Sequence, residues 1–195
     1  MINNEEKRDI EERWIQGVQS GDEEAFEEMF KEYYKVLTRF SWRYVNSKAI
    51  AEELVQEVFS RIWADRKHWD PNGPLRSYLF TAVKHHSLDH LKHIKVQRKY
   101  SSKVKKQESA TYINYDDPLR KKLVREEMAR AIEELPPRGK QAFKLHRYDG
   151  LTYKEIAQVM DVSVKTVESQ MMRTLKKLRA SLSHLLPIIV LAITG

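Results

Sequence analysis

The side chains able to do chemistry fall into two groups. Ser163, Lys165, Thr166, Glu168, Ser169 and Arg173 recur along one side of a C-terminal segment. Its other side carries Val164, Val167, Met171, Leu175, Leu178, Leu182 and Leu185. At helical period this puts hydrogen-bonding and cationic groups on one face, within the first turns that can reach base edges in a DNA major groove. Lys176, Lys177 and Arg179 follow farther along, where contact with phosphates is the chemistry on offer. The second group is a basic run. Between Lys84 and Lys106 eight Lys or Arg, including Lys84, Lys92 and Lys95, stand against one acid, Asp89. Trp69, Tyr78 and Tyr100 flank it, and aromatic faces stack on unpaired bases.

Other chemistries lack their parts. The chain has no cysteine, which removes disulfides, thiolate metal sites and cysteine nucleophiles and suits a reducing, cytoplasmic setting. His86, His90 and His93 fall on one helical face at a spacing that suits zinc, but Lys84, Lys92 and Lys95 would repel the cation. A nucleic-acid face is the alternative reading of that cluster. Arg138-Gly139-Lys140-Gln141 has neither the upstream Gly nor the following Ser or Thr of a phosphate loop. Glu52-Glu53 and Asp116-Asp117 are sequence neighbours whose side chains diverge. We therefore expect no enzyme activity, no cofactor and no metal. The N-terminus lacks the apolar core of a secretory signal, and no run reaches the roughly 20 apolar residues that span a bilayer.

Charge agrees with a polyanionic partner. The net charge is +7, yet residues 1–32 carry −7, so the remainder carries +14. A basic body with an acidic head suits nucleic acid. Gly and Pro number only 6 each, about half of average usage, which argues against a turn-rich β fold.

The elements that must position these groups are helices. Phe26, Met29, Phe30, Tyr33, Leu37, Phe40 and Tyr44 recur at three and four after an Asp22 cap. A second helix carries Leu54, Val55, Val58, Phe59, Ile62 and Trp63 and stops near Asp70-Pro71-Asn72-Gly73-Pro74. A third runs from about Leu75 to Lys95, with Leu79, Phe80, Val83, Leu91 and Ile94 inward. Residues 22–95 thus read as a three-helix domain behind an acidic extension, 1–21. Residues 96–118 read as a flexible linker. Periodicity returns over 119–184 with Leu119, Leu123, Val124, Met128, Ala131, Ile132 and Leu135. Pro136-Pro137 closes that helix, and a short one follows around Lys140 to Arg147. Thr152-Tyr153-Lys154-Glu155 is a capping box. Ile156, Ala157 and Met160 point inward, Asp161-Val162-Ser163 turns, and Ser163 caps the last helix. This is a helix-turn-helix, with an ordinary helical hairpin as the alternative. The expected fold class is all-α: two helical domains, the second a helix-turn-helix. The apolar tail 185–195 either packs on its own domain or docks on a partner or over the DNA face.

The stretch Ala51-Glu52-Glu53-Leu54-Val55-Gln56-Glu57-Val58-Phe59 through Trp63, followed by Leu75 to Phe80, resembles the first conserved domain of extracytoplasmic-function sigma factors of bacterial RNA polymerase. Glu134-Leu135-Pro136 with Leu151 to Leu178 resembles their promoter-reading domain. The resemblance implies that Glu53, Gln56 and Glu57 contact the clamp coiled coil of the largest subunit of core RNA polymerase. It implies that the loop and helix start holding Trp69, Asn72, Arg76, Ser77 and Tyr78 capture a flipped base of the −10 element of promoter DNA. Lys84, Lys92 and Lys95 would then hold the single strand, and the last helix would read the −35 element. An anti-sigma factor is the further partner it implies. Two rivals remain: a stand-alone helix-turn-helix regulator, and a recombinase-like enzyme with an attached reading domain.

Overall fold

The computed structural model describes residues 4–71, 73–98 and 118–183. All regular elements among them are helices: α1 (Asn4–Ser20), α2 (Glu23–Val45), α3 (Lys48–Ala64), α4 (Leu75–Arg98), α5 (Pro118–Glu133), α6 (Pro137–Arg147), α7 (Tyr153–Met160) and α8 (Val164–Ser181). The chain divides into two compact units, Met1–Ala110 and Thr111–Gly195. Asn72, most of the expected linker and the tail 185–195 lie outside the described residues.

In the first unit α2 is the helix on which α1, α3 and α4 pack. Asp22 opens it, its carboxylate accepting from the N–H groups of Glu24 and Ala25, and Asn46 in the left-handed region closes it. Met29, Tyr33, Leu37 and Phe40 of α2 are buried with Leu54, Val55, Val58, Phe59 and Ile62 of α3 and Leu79, Phe80 and Val83 of α4. Edge-to-face contacts lock the rings: Phe30–Phe59 at 4.9 Å and Phe40–Phe80 at 4.9 Å between centroids. Each fully buried phenylalanine contributes about 1.5–3 kcal/mol. Where α2 crosses α4 the side chains are small, and the Ser41 and Ser87 hydroxyls meet at 2.9 Å. Ser87 donates its proton to the Val83 carbonyl, so Ser41 is the donor between them.

Two expectations for this unit are corrected. The acidic head 1–21 is not a bare extension: from Asn4 it forms α1, giving four helices where the periodicity suggested three. Trp14 and Val18, four residues apart, are buried against α2, and Glu11 is buried accepting from the Tyr33 hydroxyl at 2.6 Å. Glu28 reaches back, accepting from Trp14 Nε1 at 2.8 Å and pairing with Arg13. Helix α4 also continues to Arg98, past the expected stop at Lys95.

In the second unit Ala131, Ile132 and Leu135 form a core with Leu178 of α8, covered by Phe143 and Leu182. Pro136 is extended (ψ 141°) and Pro137 occupies the first turn of α6, where its missing N–H costs nothing. The stripe assigned to the last helix needs revision. Val167, Met171, Thr174 and Leu178 are buried, whereas Val164 and Leu175 are 39% and 46% exposed. Thr174 takes the inward place because α6 crosses it at Gly139, where any Cβ would collide with the Thr174 hydroxyl. Likewise Val159 rather than Met160 is buried on α7, and Met128 on α5 is exposed. Gly139→Ala should destabilise the second unit by about 1–3 kcal/mol, and adding Thr174→Ala should recover part of that loss. Urea unfolding followed by circular dichroism measures both.

Candidate nucleic-acid interface

Helix α8 is aimed by the turn before it. The capping box on α7 is complete: Glu155 N–H donates to Thr152 Oγ1 at 3.3 Å, and Thr152 N–H donates to Glu155 Oε2 at 2.7 Å. Asp161 adopts the left-handed conformation (φ 55°), which lets Val162 N–H donate back to the Ala157 carbonyl at 3.0 Å. Ser163 then caps α8, accepting from Thr166 N–H at 3.1 Å. With Ile156, Ala157, Val159, Val167 and Met171 buried, the angle between the two helices is set by packing on one side and by caps on the other.

The predicted reading residues divide accordingly. Lys165, Glu168, Arg173 and Lys176 are exposed on α8, and Ser169 is half-buried beside them. Ser163 and Thr166 are partly committed, their hydroxyls lying 2.8 Å apart in the cap. Lys177 is exposed but tied, its Nζ donating to the Glu134 carbonyl at 2.6 Å, so it closes the end of α5 in this structure. Met172, 71% exposed, stands among these polar groups.

In the first unit the residues expected to capture a base separate into support and surface. Trp69 is 5% exposed and Ser77 is 2% exposed. Trp69 packs edge-on against Tyr78 at 6.0 Å, and the Ser77 hydroxyl donates to the Pro74 carbonyl at 2.9 Å. In the free chain both side chains are packed inward, beneath the half-buried Tyr78. Tyr78 is half-buried, and Arg76 lies with its guanidinium 6.0 Å from the Phe80 ring. Along α4, Lys84 is half-buried, Lys92 pairs with Asp89 at 2.8 Å, and Lys95 is exposed. That pairing holds the Asp89 carboxyl below its usual range, first through the hydrogen bond from Lys92.

A third surface lies on α3. Glu53, Gln56 and Glu57, spaced at three and four, share the exposed face opposite Leu54, Val55, Val58 and Phe59. Glu57 lies 3.7 Å from His86 Nδ1, a neighbour that sequence spacing did not indicate. The His86, His90 and His93 trio does not converge: among the described residues no three His, Asp or Glu side chains could hold a metal ion. No helix among them is long and apolar enough to cross a membrane.

Family models match both halves of the described chain in order. The model for sigma-70 region 2 matches residues 29–95 and that for sigma-70 region 4 matches residues 125–178, together well over half of the sequence. The chain belongs to the sigma-70 family. RNA polymerase sigma factor CarQ of Myxococcus xanthus is 25% identical over 165 residues, covering 85% of this chain and 93% of the relative. The extracytoplasmic-function RNA polymerase sigma-E factor of Escherichia coli K12 is 27% identical over 168 residues, covering 82% and 87%. Among solved structures, the sigma factor RpoE in complex with the anti-sigma factor NepR from Bartonella quintana shares the fold. Its TM-score is 0.60 at 19% identity, covering 81% of this chain and 96% of that one. This is a sigma factor of the extracytoplasmic-function type.

In this sigma factor burial lowers the pKa of His86, and Arg61 lowers it further, while Glu57 and Asp89 pull the other way. The folded chain therefore holds this proton less tightly than the unfolded chain, whose imidazole titrates near about 6.5. Its contribution to stability is complete above that value and declines as pH falls from there through the lower, folded pKa. His86→Gln should flatten the loss of stability of the first unit as pH falls below about 6.5, read by urea unfolding at each pH.

Proposed function

We propose that this sigma factor places core RNA polymerase on its promoters by holding two DNA elements and one polymerase surface, and that it catalyses nothing itself. In this reading Glu53, Gln56 and Glu57 on α3 dock on the clamp coiled coil of the largest subunit. Lys165, Glu168, Ser169 and Arg173 on α8 read the −35 duplex, with Lys176 on phosphates. Ser163 and Thr166 present the start of that helix, and Lys177 reaches DNA only if it leaves Glu134. The turn from Trp69 to Tyr78, with Asn72 and Arg76, receives a base of the −10 element, and Lys84, Lys92 and Lys95 follow the separated strand. Work of this kind belongs in the cytoplasm. An anti-sigma factor is a further partner, supported by the fold shared with the complex of RpoE and NepR.

The observation that carries the reading is the pairing, in one chain, of an exposed acidic–amide face on α3 with a capped helix-turn-helix whose outer face is cationic. Major-groove readout needs the second of these and no polymerase, so the first is what separates a sigma factor from a stand-alone regulator. Mixing the purified protein with core polymerase and transcribing a promoter library should yield a defined set of start sites. Duplex binding with no affinity for the core would overturn the proposal.

Two substitutions test the division of labour. Arg173→Ala should weaken binding to the −35 element by about 1–3 kcal/mol while leaving core affinity unchanged, as measured by fluorescence anisotropy. Gln56→Ala combined with Glu57→Ala should weaken core binding by about 1–2 kcal/mol and leave duplex binding alone. Wild-type transcription from either variant would count against the assignment.

A further inference from the structure

Helix α1 does more than cover α2. Its last turn comes close to the start of α2 at Gly17, where an added Cβ would lie 2.5 Å from the buried Ala25 Cβ. The chain then reverses through Gly21 (φ 85°), with Asp22 N–H donating to the Gly17 carbonyl at 2.9 Å. This close approach sets where Gln19 stands. Its Nε2 donates to the backbone carbonyl of Trp69, fifty residues away, at 2.9 Å.

Among the described residues the turn that begins at Trp69 has few donors of its own. Pro71 and Pro74 carry no backbone N–H. The indole Nε1 of Trp69 is buried with no acceptor among the described residues. Pro71 is buried within the turn, and among the described residues the hydrogen bonds that hold it lie at its ends. At the entry, Trp69 N–H donates to Asp65 and its carbonyl accepts from Gln19. At the exit, the Pro74 carbonyl accepts from the Ser77 hydroxyl and from Tyr78 N–H. Three of these four bonds are local in sequence. The one from Gln19 ties the turn to another helix.

We propose that Gln19 is a positioning residue for −10 element capture: through the Trp69 carbonyl it fixes the entry of the turn, so that the turn meets the strand already shaped. The proposal rests on reading that turn as the base-receiving segment. A turn ordered beforehand loses less conformational freedom on binding, so removing the bond lowers strand affinity without touching a base.

The test uses holoenzyme made with wild-type protein, Gln19→Leu (no donor) and Gln19→Lys (donor restored). The probe is single-stranded DNA carrying the −10 sequence of promoters that the holoenzyme selects. Gln19→Leu should bind it about fivefold more weakly, the worth of one hydrogen bond, and Gln19→Lys should recover most of that. Core affinity and −35 duplex affinity should stay at wild-type values in both. In the free proteins, hydrogen exchange at the Trp69 amide, which donates to the Asp65 carbonyl at 2.9 Å, should quicken in Gln19→Leu and return toward wild type in Gln19→Lys. Unchanged exchange, unchanged or tighter strand binding by Gln19→Leu, or equal losses in the two variants would overturn the proposal. Should wild-type holoenzyme select no promoter, the −10 reading itself fails, and the exchange rates alone decide whether Gln19 orders the turn.

Discussion

Phe59 of α3 sits against Phe26 and Phe30 of α2, with ring centroids 6.1 and 4.9 Å apart and near-perpendicular planes. That contact settles how α3 is rotated about its axis, because a helix carrying Phe59 inward must carry Leu54, Val55, Val58 and Ile62 inward with it. Glu53, Gln56 and Glu57 are then left on the outside. The surface that would meet polymerase is thus a by-product of apolar packing. The same rule governs α8, where burying Val167, Met171, Thr174 and Leu178 leaves Lys165, Arg173 and Lys176 facing solvent. In both units the proposed contact residues lie on the face that the core does not use.

The acidic first helix shows how a charged segment joins such a core. Glu11 is buried, yet it accepts from the Tyr33 hydroxyl, and burial together with the Glu11 charge pushes that phenol far above its ordinary range. A neutral donor facing a carboxylate gives the buried oxygen a partner without burying a second charge. Around it Trp14 and Val18 supply the apolar contact, and Gln19 carries the helix's influence to the turn before α4. This acidic helix is therefore an internal brace of the first unit.

In the proposed reading the two units take separate tasks, and the local chemistry of each suits its own. Reading duplex calls for a helix held at a set angle, which the capping box, the left-handed Asp161 and the Ser163 cap provide between Thr152 and Ser163. Receiving an unstacked base calls for a shaped turn beside an aromatic group. Here the buried Trp69 backs the half-buried Tyr78, and hydrogen bonds hold the turn at each end.

How much was legible follows from how local each feature is. Helices α2, α3 and α7 and the cap of α8 could be read from the sequence because their signals act within a few residues: apolar side chains at three and four, Asp22 before α2, Thr152 with Glu155, Ser163 before α8. The outward stripe of α3 and much of that of α8 were legible for the same reason. Hidden was everything decided by a partner distant in sequence. Trp14 and Val18 were a weak signal among eleven acids, and they form a buried face only because Tyr33 and Glu28 wait on α2. Trp69 looked like a free aromatic, and neighbouring elements bury it. Thr174 displaced Leu175 from the core because Gly139 brings another backbone close. Composition, capping and periodicity determined the helices and their polar faces by themselves. Burial, side-chain pairing and close approach belong to tertiary structure, since each depends on atoms that meet only after the chain has folded back on itself.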